Sequence, residues 1–250
     1  IVMSIHKIPL FINVLDAARE RIHWTLKNLD RVCVSFSGGK DSGVMLHLTA
    51  QLARQLNKKI FVLFIDWEAQ FNHTINYVQA INDQYADVID TIYWIALPLT
   101  TQNALSQYQP QWQCWEPDTE WVRQPPTTAI TSPDYFPFYQ EGMTFEHFVR
   151  EFADWFSQQR PAAMLIGIRA DESYNRFVAI ATEHKKRFAD DKPWTTLAPG
   201  GHTWYIYPIY DWKTADIWTW YAKTKSLCNP LYNVMYQAGV PLRYMRICEP

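Results

Sequence analysis

The segment Ser37-Gly38-Gly39-Lys40-Asp41-Ser42 concentrates more chemistry than any other stretch of the chain. It follows the apolar run Val32-Cys33-Val34-Ser35-Phe36 and precedes Val44, Met45, Leu48 and Leu52 at helical spacing, so it reads as strand, loop, helix. Two adjacent glycines let the backbone turn tightly and approach a ligand with no Cβ in the way. Their N–H groups and the first amides of the helix make an anion site, reinforced by the positive helix end. Lys40 adds a cation, and Ser37 and Ser42 add hydroxyl donors, a set suited to phosphate or pyrophosphate. Asp41 there either holds Mg²⁺ through one carboxylate or is a first-turn acid favoured by the helix dipole. Two other phosphate loops are excluded by spacing. Walker A needs Gly at position 34 and Ser or Thr after the lysine, where this chain has Val34 and Asp41, and G-x-G-x-x-G has no match.

Two further polar clusters follow apolar runs. Asp66 and Glu68 could hold ribose hydroxyls or a metal, or lie in a solvated loop. Gly167, Arg169, Glu172, Ser173 and Arg176 follow Ala162–Ile166. Arg169 and Arg176 either clamp phosphate or sulfate as planar donors or pair with Asp171 and Glu172.

These residues need a scaffold. Asn13 can cap a helix carrying Val14, Leu15, Ala18 and Ile22 on one face. Strands are expected at 32–36, 60–65, 89–97, 162–167 and 205–209, and helices at 72–85, 144–158 and 213–223. The 60–65 run is continuously apolar, as in a parallel strand covered on both faces. Alternating strands and helices imply an α/β domain with a mainly parallel sheet, and ligands in such sheets sit beyond the carboxyl ends of strands near a switch in order. All three polar clusters occupy such ends. Residues 107–161 differ: they hold 13 of the 39 aromatics and 7 of the 15 prolines, with a local charge of −5. Residues 107–140 read as an irregular insertion. Phe145, Phe148, Phe152 and Phe156 line the 144–158 helix, and Trp112, Trp115 and Trp121 make either a lid, an interface or a hydrophobic mini-core.

Composition removes other classes. The net charge of −2 gives no chain-wide basic field, so indiscriminate nucleic-acid binding is not expected, while a specific nucleic-acid substrate stays open. An aromatic content of 16% is foreign to disordered chains. No run is long enough to span a bilayer, and no secretory signal opens the chain, which points to the cytoplasm. Met3 reads as a natural start. Cys33, Cys114, Cys228 and Cys248 form no C-x-x-C, and the histidines have no ligand spacing, so neither a disulfide framework nor zinc is expected. Lys185-Lys186-Arg187 is either a solvated helix face or a phosphate-facing patch. Residues 189–203 make either a closing loop or a plain turn. Trp212, Trp218 and Trp220 are expected to pack in the core.

The S-G-G-K-D-S pattern resembles the pyrophosphate loop of the ATP pyrophosphatase and phosphoadenylylsulfate (PAPS) reductase superfamily. Asp66-Trp67-Glu68-Ala69-Gln70-Phe71 with Thr74 is similar to that family's post-strand segment. Gly167-Ile168-Arg169-Ala170-Asp171-Glu172-Ser173 with Arg176 is similar to its G-x-R-x-x-[EQ]-S-x-x-R segment. Pro208-Ile209-Tyr210-Asp211-Trp212, Asp216-Ile217-Trp218 and Asn229-Pro230-Leu231-Tyr232 look like its C-terminal core. The resemblance implies a single domain over 1–250 with the insertion at about 107–161, in a three-layer, adenine-nucleotide α-hydrolase-like fold with a mainly parallel five-stranded sheet. It implies ATP or PAPS with Mg²⁺, no iron–sulfur cluster, and a nucleotide held by Ser35 to Ser42, Asp66, Glu68, Gly167, Arg169, Glu172, Ser173 and Arg176. Lys40, Asp41 and Arg169 carry the catalysis. Three activities remain open: an ATP pyrophosphatase-type enzyme, a PAPS reductase or sulfotransferase-like enzyme, and a nucleotide-sensing protein working with a partner. The 107–161 segment offers a surface for such a partner or a second copy. The end, Arg246-Ile247-Cys248-Glu249-Pro250, departs from the reductases' Glu-Cys-Gly-Leu-His segment. A nucleophilic Cys248 would need its thiol lowered by Arg243 and Arg246, and the chain is expected to be cut short at Pro250.

Overall fold

The computed structural model describes residues 11–103, 106–181, 186–189 and 192–247. Asn13 caps α1 (Val14–Asn28), its side chain accepting from the Asp16 amide at 2.9 Å. β1 (Arg31–Ser35), α2 (Lys40–Gln55), β2 (Ile60–Ile65), α3 (Asn72–Gln84) and β3 (Ile89–Ile95) then make two successive strand–helix–strand units. β4 (Leu99–Gln102), β5 (Gln111–Cys114) and α4 (Phe145–Ser157) follow, then β6 (Ala162–Ile166), α5 (Tyr174–Ala181), β7 (Thr195–Leu197) and β8 (Thr203–Ile206). α6 (Thr214–Thr224) and α7 (Leu231–Gln237) close the described chain, apart from two short 3₁₀ turns.

The main sheet has six strands in the order β3-β2-β1-β6-β8-β7. The first five run parallel and β7 is antiparallel to β8. The expected five parallel strands are all present. The antiparallel edge was missed because Thr195-Thr196-Leu197 is too short to show a periodicity. The last parallel strand stops at Ile206, ahead of Pro208 rather than running to 209, because proline has no N–H to give a ladder.

Alternation along each strand divides the core. Val32, Val34, Val62, Phe64, Ala163 and Leu165 share one cluster with apolar residues of α1, α2, α3 and α6. Cys33, Leu63, Ile65, Ala162 and Met164 share another with α4 and the insertion. The sheet is therefore the middle of three layers, which explains its continuous apolar runs. Phe148, Phe152 and Phe156 of α4 are fully buried, each worth about 1.5–3 kcal/mol relative to exposure. Trp212 and Trp220 are buried as expected, while Trp218 is partly covered.

The insertion is more ordered than its composition implies. β5 lies inside the stretch expected to be irregular and pairs antiparallel with β4, Leu99 opposite Cys114. Trp115 is buried in the second cluster with Phe136 and Met143, Trp112 and Trp121 pack against it, and Trp115 meets Trp121 edge-on at 5.3 Å. These tryptophans form a mini-core. Residues 192–203 give β7 and its turn into β8; Asp190 and Asp191 lie outside the described residues.

Candidate functional site

Strand order reverses around β1. Its successor β2 lies on one side, and β6, reached much later, lies on the other. The carboxyl ends of β1 and β6 at this reversal are the usual position of a ligand in such sheets. The Ser37–Ser42 loop leaves β1 there, and Gly167 to Arg176 leave β6 there. The two clusters read from sequence as phosphate-facing are thus neighbours in space.

The loop is shaped by its own hydroxyls and by distant elements. Ser37 Oγ and Ser42 Oγ are 3.0 Å apart, and Ser42 Oγ also accepts the Ser37 amide at 3.2 Å. Gly38 has φ +73°, the left-handed region that favours glycine, and a Cβ there would lie 2.6 Å from Thr74 Cγ2 of α3. Asn229 Nδ2 donates to the Gly38 carbonyl at 3.0 Å and to Thr74 Oγ1 at 2.9 Å. Tyr221 of α6 donates to the Lys40 carbonyl at 3.0 Å, and the Lys40 amide donates to the Tyr232 hydroxyl of α7 at 2.9 Å. Among the described residues, the backbone N–H groups of Gly38, Asp41 and Ser42 meet no acceptor. That leaves a cluster of outward-facing donors at the start of α2. Gly167 packs flat on this helix start, where a Cβ would come 3.0 Å from Ser42 Cα.

The charged side chains form one alternating chain. Lys40 Nζ lies 2.8 Å from Asp41 Oδ2, and Asp41 Oδ1 lies 2.7 Å from Arg169 Nε. Arg169 continues to Glu172 at 3.5 Å, and Glu172 to Arg176 at 2.5 Å. Lys40 and Arg169 are buried, at 5% and 2% exposed, while Arg176 is half exposed at the rim. Arg169 is braced by the Trp212 carbonyl at 3.4 Å and Thr214 Oγ1 at 3.3 Å. Burial raises the Glu172 carboxyl, opposed by Arg176. Ser173 does not join this chain; its hydroxyl accepts the Arg176 amide at 3.2 Å and starts α5. Arg169 pairs with Asp171 at 3.8 Å and with Glu172, and it also reaches the loop through Asp41.

Each oxygen of Asp41 faces a side-chain cation, Oδ2 toward Lys40 and Oδ1 toward Arg169. No group of three or more His, Cys, Asp or Glu side chains suited to a metal ion occurs among the described residues.

Asp66 and Glu68 sit beyond β2, as expected, but neither carboxylate faces an open loop. Asp66 is fully buried. Its Oδ2 accepts the Trp94 indole at 2.8 Å, and its Oδ1 meets Arg123 and the Glu68 amide. Glu68 accepts the Trp115 amide at 2.6 Å through Oε2 and the Val122 amide at 2.9 Å through Oε1. The Trp115 indole donates to the Asp66 carbonyl at 2.6 Å. The expected ribose or metal pair is instead where the insertion is fastened to the sheet, and its acids are satisfied by backbone N–H groups, the Trp94 indole and one guanidinium.

Thr74, Asn229 and Tyr232 stand out in the sequence only as parts of the similar segments, and nothing local points to Tyr221. Their partners lie far along the chain, so no local pattern announces them. Cys228, half-buried beside Asn229, has its thiol pushed up to about 11 by burial. Burial likewise pushes up the Cys33 thiol, and takes Cys114 to about 12. Cys248 and Lys185 lie outside the described residues. Arg187 donates to the Thr195 and Ile180 carbonyls, and so braces the chain locally rather than facing a phosphate. No helix among the described residues is long and apolar enough to cross a membrane.

A family model described as the phosphoadenosine phosphosulfate reductase domain matches residues 31–238. A protein of Escherichia coli (strain K12), described as uncharacterized protein YbdN, is 79% identical over 248 residues, 99% of this chain. The chain spans 61% of that relative's length. Among solved structures, the phosphate complex of PAPS reductase from Candida auris aligns with a TM-score of 0.48 at 13% identity, covering 87% of this chain and 84% of that one. The FMN adenylyltransferase of Candida glabrata in complex with ATP aligns at 0.47 and 17% identity, covering 88% and 57%.

Proposed function

The chain belongs to the phosphoadenosine phosphosulfate reductase domain family, and from that premise we propose that it binds an adenine nucleotide with its phosphates on residues 37–42 and cleaves the α–β phosphate bond. The observation that carries this reading is the cluster of unsatisfied amides at Gly38, Asp41 and Ser42, placed at the reversal of strand order and flanked by buried Lys40 and Arg169. A phosphate entering there meets N–H donors at a helix start and two cations that Asp41 holds in place.

In this mechanism a nucleophilic oxygen of the acceptor attacks the α-phosphorus. A new P–O bond forms as the bond from the α-phosphorus to the bridging oxygen breaks, and pyrophosphate leaves with that electron pair. Gly38, Asp41 and Ser42 amides hold the departing pyrophosphate. Lys40 and Arg169 stabilise the charge that develops on it, a preorganised electrostatic role. Arg176 meets the nucleotide at the rim, with Glu172 orienting it. Asp66 and Glu68 act at one remove, by fastening the insertion to the sheet.

The test is calorimetric titration with ATP, AMP and PAPS, followed by assay of pyrophosphate release from ATP. Tight ATP binding and turnover lost in Lys40→Ala support the reading. If no adenine nucleotide binds, it fails. The family's description favours a second reading, in which PAPS is the ligand of the same loop; preference for PAPS with thioredoxin-dependent sulfite release selects it. Binding without any turnover selects a nucleotide sensor.

A further inference from the structure

The Tyr232 hydroxyl stands directly before the first N–H of α2. It accepts that Lys40 amide at 2.9 Å, and a Cβ on Gly39 would lie 3.6 Å from it. Anything bonded to that amide is inside the anion site, because the first helical N–H groups point out of the helix toward the ligand position. A phenol oxygen that accepts one hydrogen bond still has its own proton to donate. The Tyr232 proton meets no acceptor among the described residues, although the side chain is only 4% exposed. Buried hydroxyls are rarely left with an idle donor. Burial also keeps this phenol protonated, since it raises Tyr232 far above the ordinary tyrosine value.

Position is fixed from two sides. Pro230 precedes α7, and Asn229 just before it is tied to Gly38 and Thr74 and accepts the Leu231 amide at 3.0 Å. Trp218 packs edge-on against the Tyr232 ring at 5.3 Å. The hydroxyl is therefore placed as firmly as the loop itself. The bond it accepts from Lys40 polarises it and strengthens it as a donor.

We propose that Tyr232 is a phosphate-binding residue of this site, its hydroxyl relaying the Lys40 amide to an oxygen of a bound pyrophosphate group. Nothing among the described residues takes that proton, and a phosphate oxygen lying across the free amides of Asp41 and Ser42 would. The inference rests on the nucleotide reading above and adds a ligand from α7, at the far end of the chain, to the phosphate loop.

The experiment titrates inorganic pyrophosphate and ATP into the 250-residue chain and into two variants, Tyr232→Phe and Tyr232 replaced site-specifically by 3-fluorotyrosine, with thermal unfolding as a check of fold. Loss of a hydrogen bond to a charged oxygen predicts roughly tenfold weaker pyrophosphate and ATP binding in Tyr232→Phe. The fluorinated phenol, a stronger donor of nearly the same shape, should bind both more tightly than the unsubstituted chain, a gain that a merely structural hydroxyl would not give. Unchanged affinity in both variants, or tighter binding by Tyr232→Phe, overturns the proposal; the latter would mean that the hydroxyl competes with phosphate for the Lys40 amide. If the unsubstituted chain binds neither pyrophosphate nor ATP, the nucleotide reading falls and takes this one with it. Binding by the unsubstituted chain with no response to either variant removes this inference alone.

Discussion

Replacing Asp41 by asparagine tests how the charged chain at the loop is balanced. Asp41 touches Lys40 at 2.8 Å and Arg169 at 2.7 Å, and it is itself only 16% exposed. Asparagine keeps the shape and one accepting oxygen but removes the charge. Arg169 retains Glu172 at 3.5 Å and Asp171 at 3.8 Å, whereas Lys40 loses the ion pair it makes among the described residues and keeps only the more distant charge of Glu172. Removing one partner of a buried pair costs about 3–5 kcal/mol, and the bonds Arg169 keeps place this case near the lower end, about 3 kcal/mol. For a chain of this size 1 kcal/mol moves Tm by about 2–4 °C, so Asp41→Asn should melt about 6–12 °C lower at low salt. An added anion should reverse part of this. Pyrophosphate at 100 times its Kd stabilises the native chain by about 2.7 kcal/mol. In the variant it also meets two cations no longer neutralised, which should tighten binding by about tenfold, a further 1.4 kcal/mol or so. Differential scanning fluorimetry with and without pyrophosphate reads both effects. A variant melting within about 2 °C of the parent, or an equal pyrophosphate response in the two chains, would refute the idea that Asp41 holds both cations ready for phosphate.

Three other outcomes follow. Gly43→Ala should destabilise by about 1–3 kcal/mol, although the same change in an ordinary helix stabilises by about 1 kcal/mol; its Cβ would collide with the Tyr221 hydroxyl and lie 2.7 Å from that of Tyr77, and a raised urea midpoint would count against this. Glu68→Gln turns an amide donor toward the N–H of Trp115 or Val122 and should loosen the insertion by about 1–3 kcal/mol; limited proteolysis should then cut within 106–131 faster, with the loop at 37–42 still binding ATP. Burial holds His47 below the usual histidine value of 6.5, so the folded chain keeps the ring neutral where the unfolded chain takes up a proton. The stability His47 contributes is complete above that value and drains away as pH falls through the lower folded one. Urea midpoints at about pH 7.5 and about pH 5.5 should differ more for the parent than for His47→Gln, and equal differences would discount the ring.

What the sequence made legible was local. β1, the Ser37–Ser42 turn and α2 follow one another within 25 residues, so apolar pattern, paired glycines and helix spacing all speak at once. α3 and α4 ended within a residue or two of their expected limits for the same reason. The β4–β5 hairpin escaped because Leu99-Thr100-Thr101-Gln102 and Gln111-Trp112-Gln113-Cys114 are short and largely polar, and only their pairing makes them strands. Asp66 and Glu68 were placed correctly at a strand end, but their partners, Arg123 and the amides of Trp115 and Val122, come from an insertion with no pattern of its own. Gly43 reads as a weak residue in a helix until two tyrosines from other elements are seen resting on it. In each case the missing information is a contact between residues distant in sequence, which periodicity does not carry.

The bond between Lys40 and Tyr232 spans 192 residues, and that separation sets an order of events during synthesis. The loop leaves the ribosome early, with strand β1 and helix α2, yet the residues that fix its amides and carbonyls are among the last described ones to be made. At about 5–20 residues per second the delay is roughly 10–40 s. Throughout that interval the nascent chain carries the loop's sequence without the contacts that Asn229 and Tyr232 give it, which form when α7 docks.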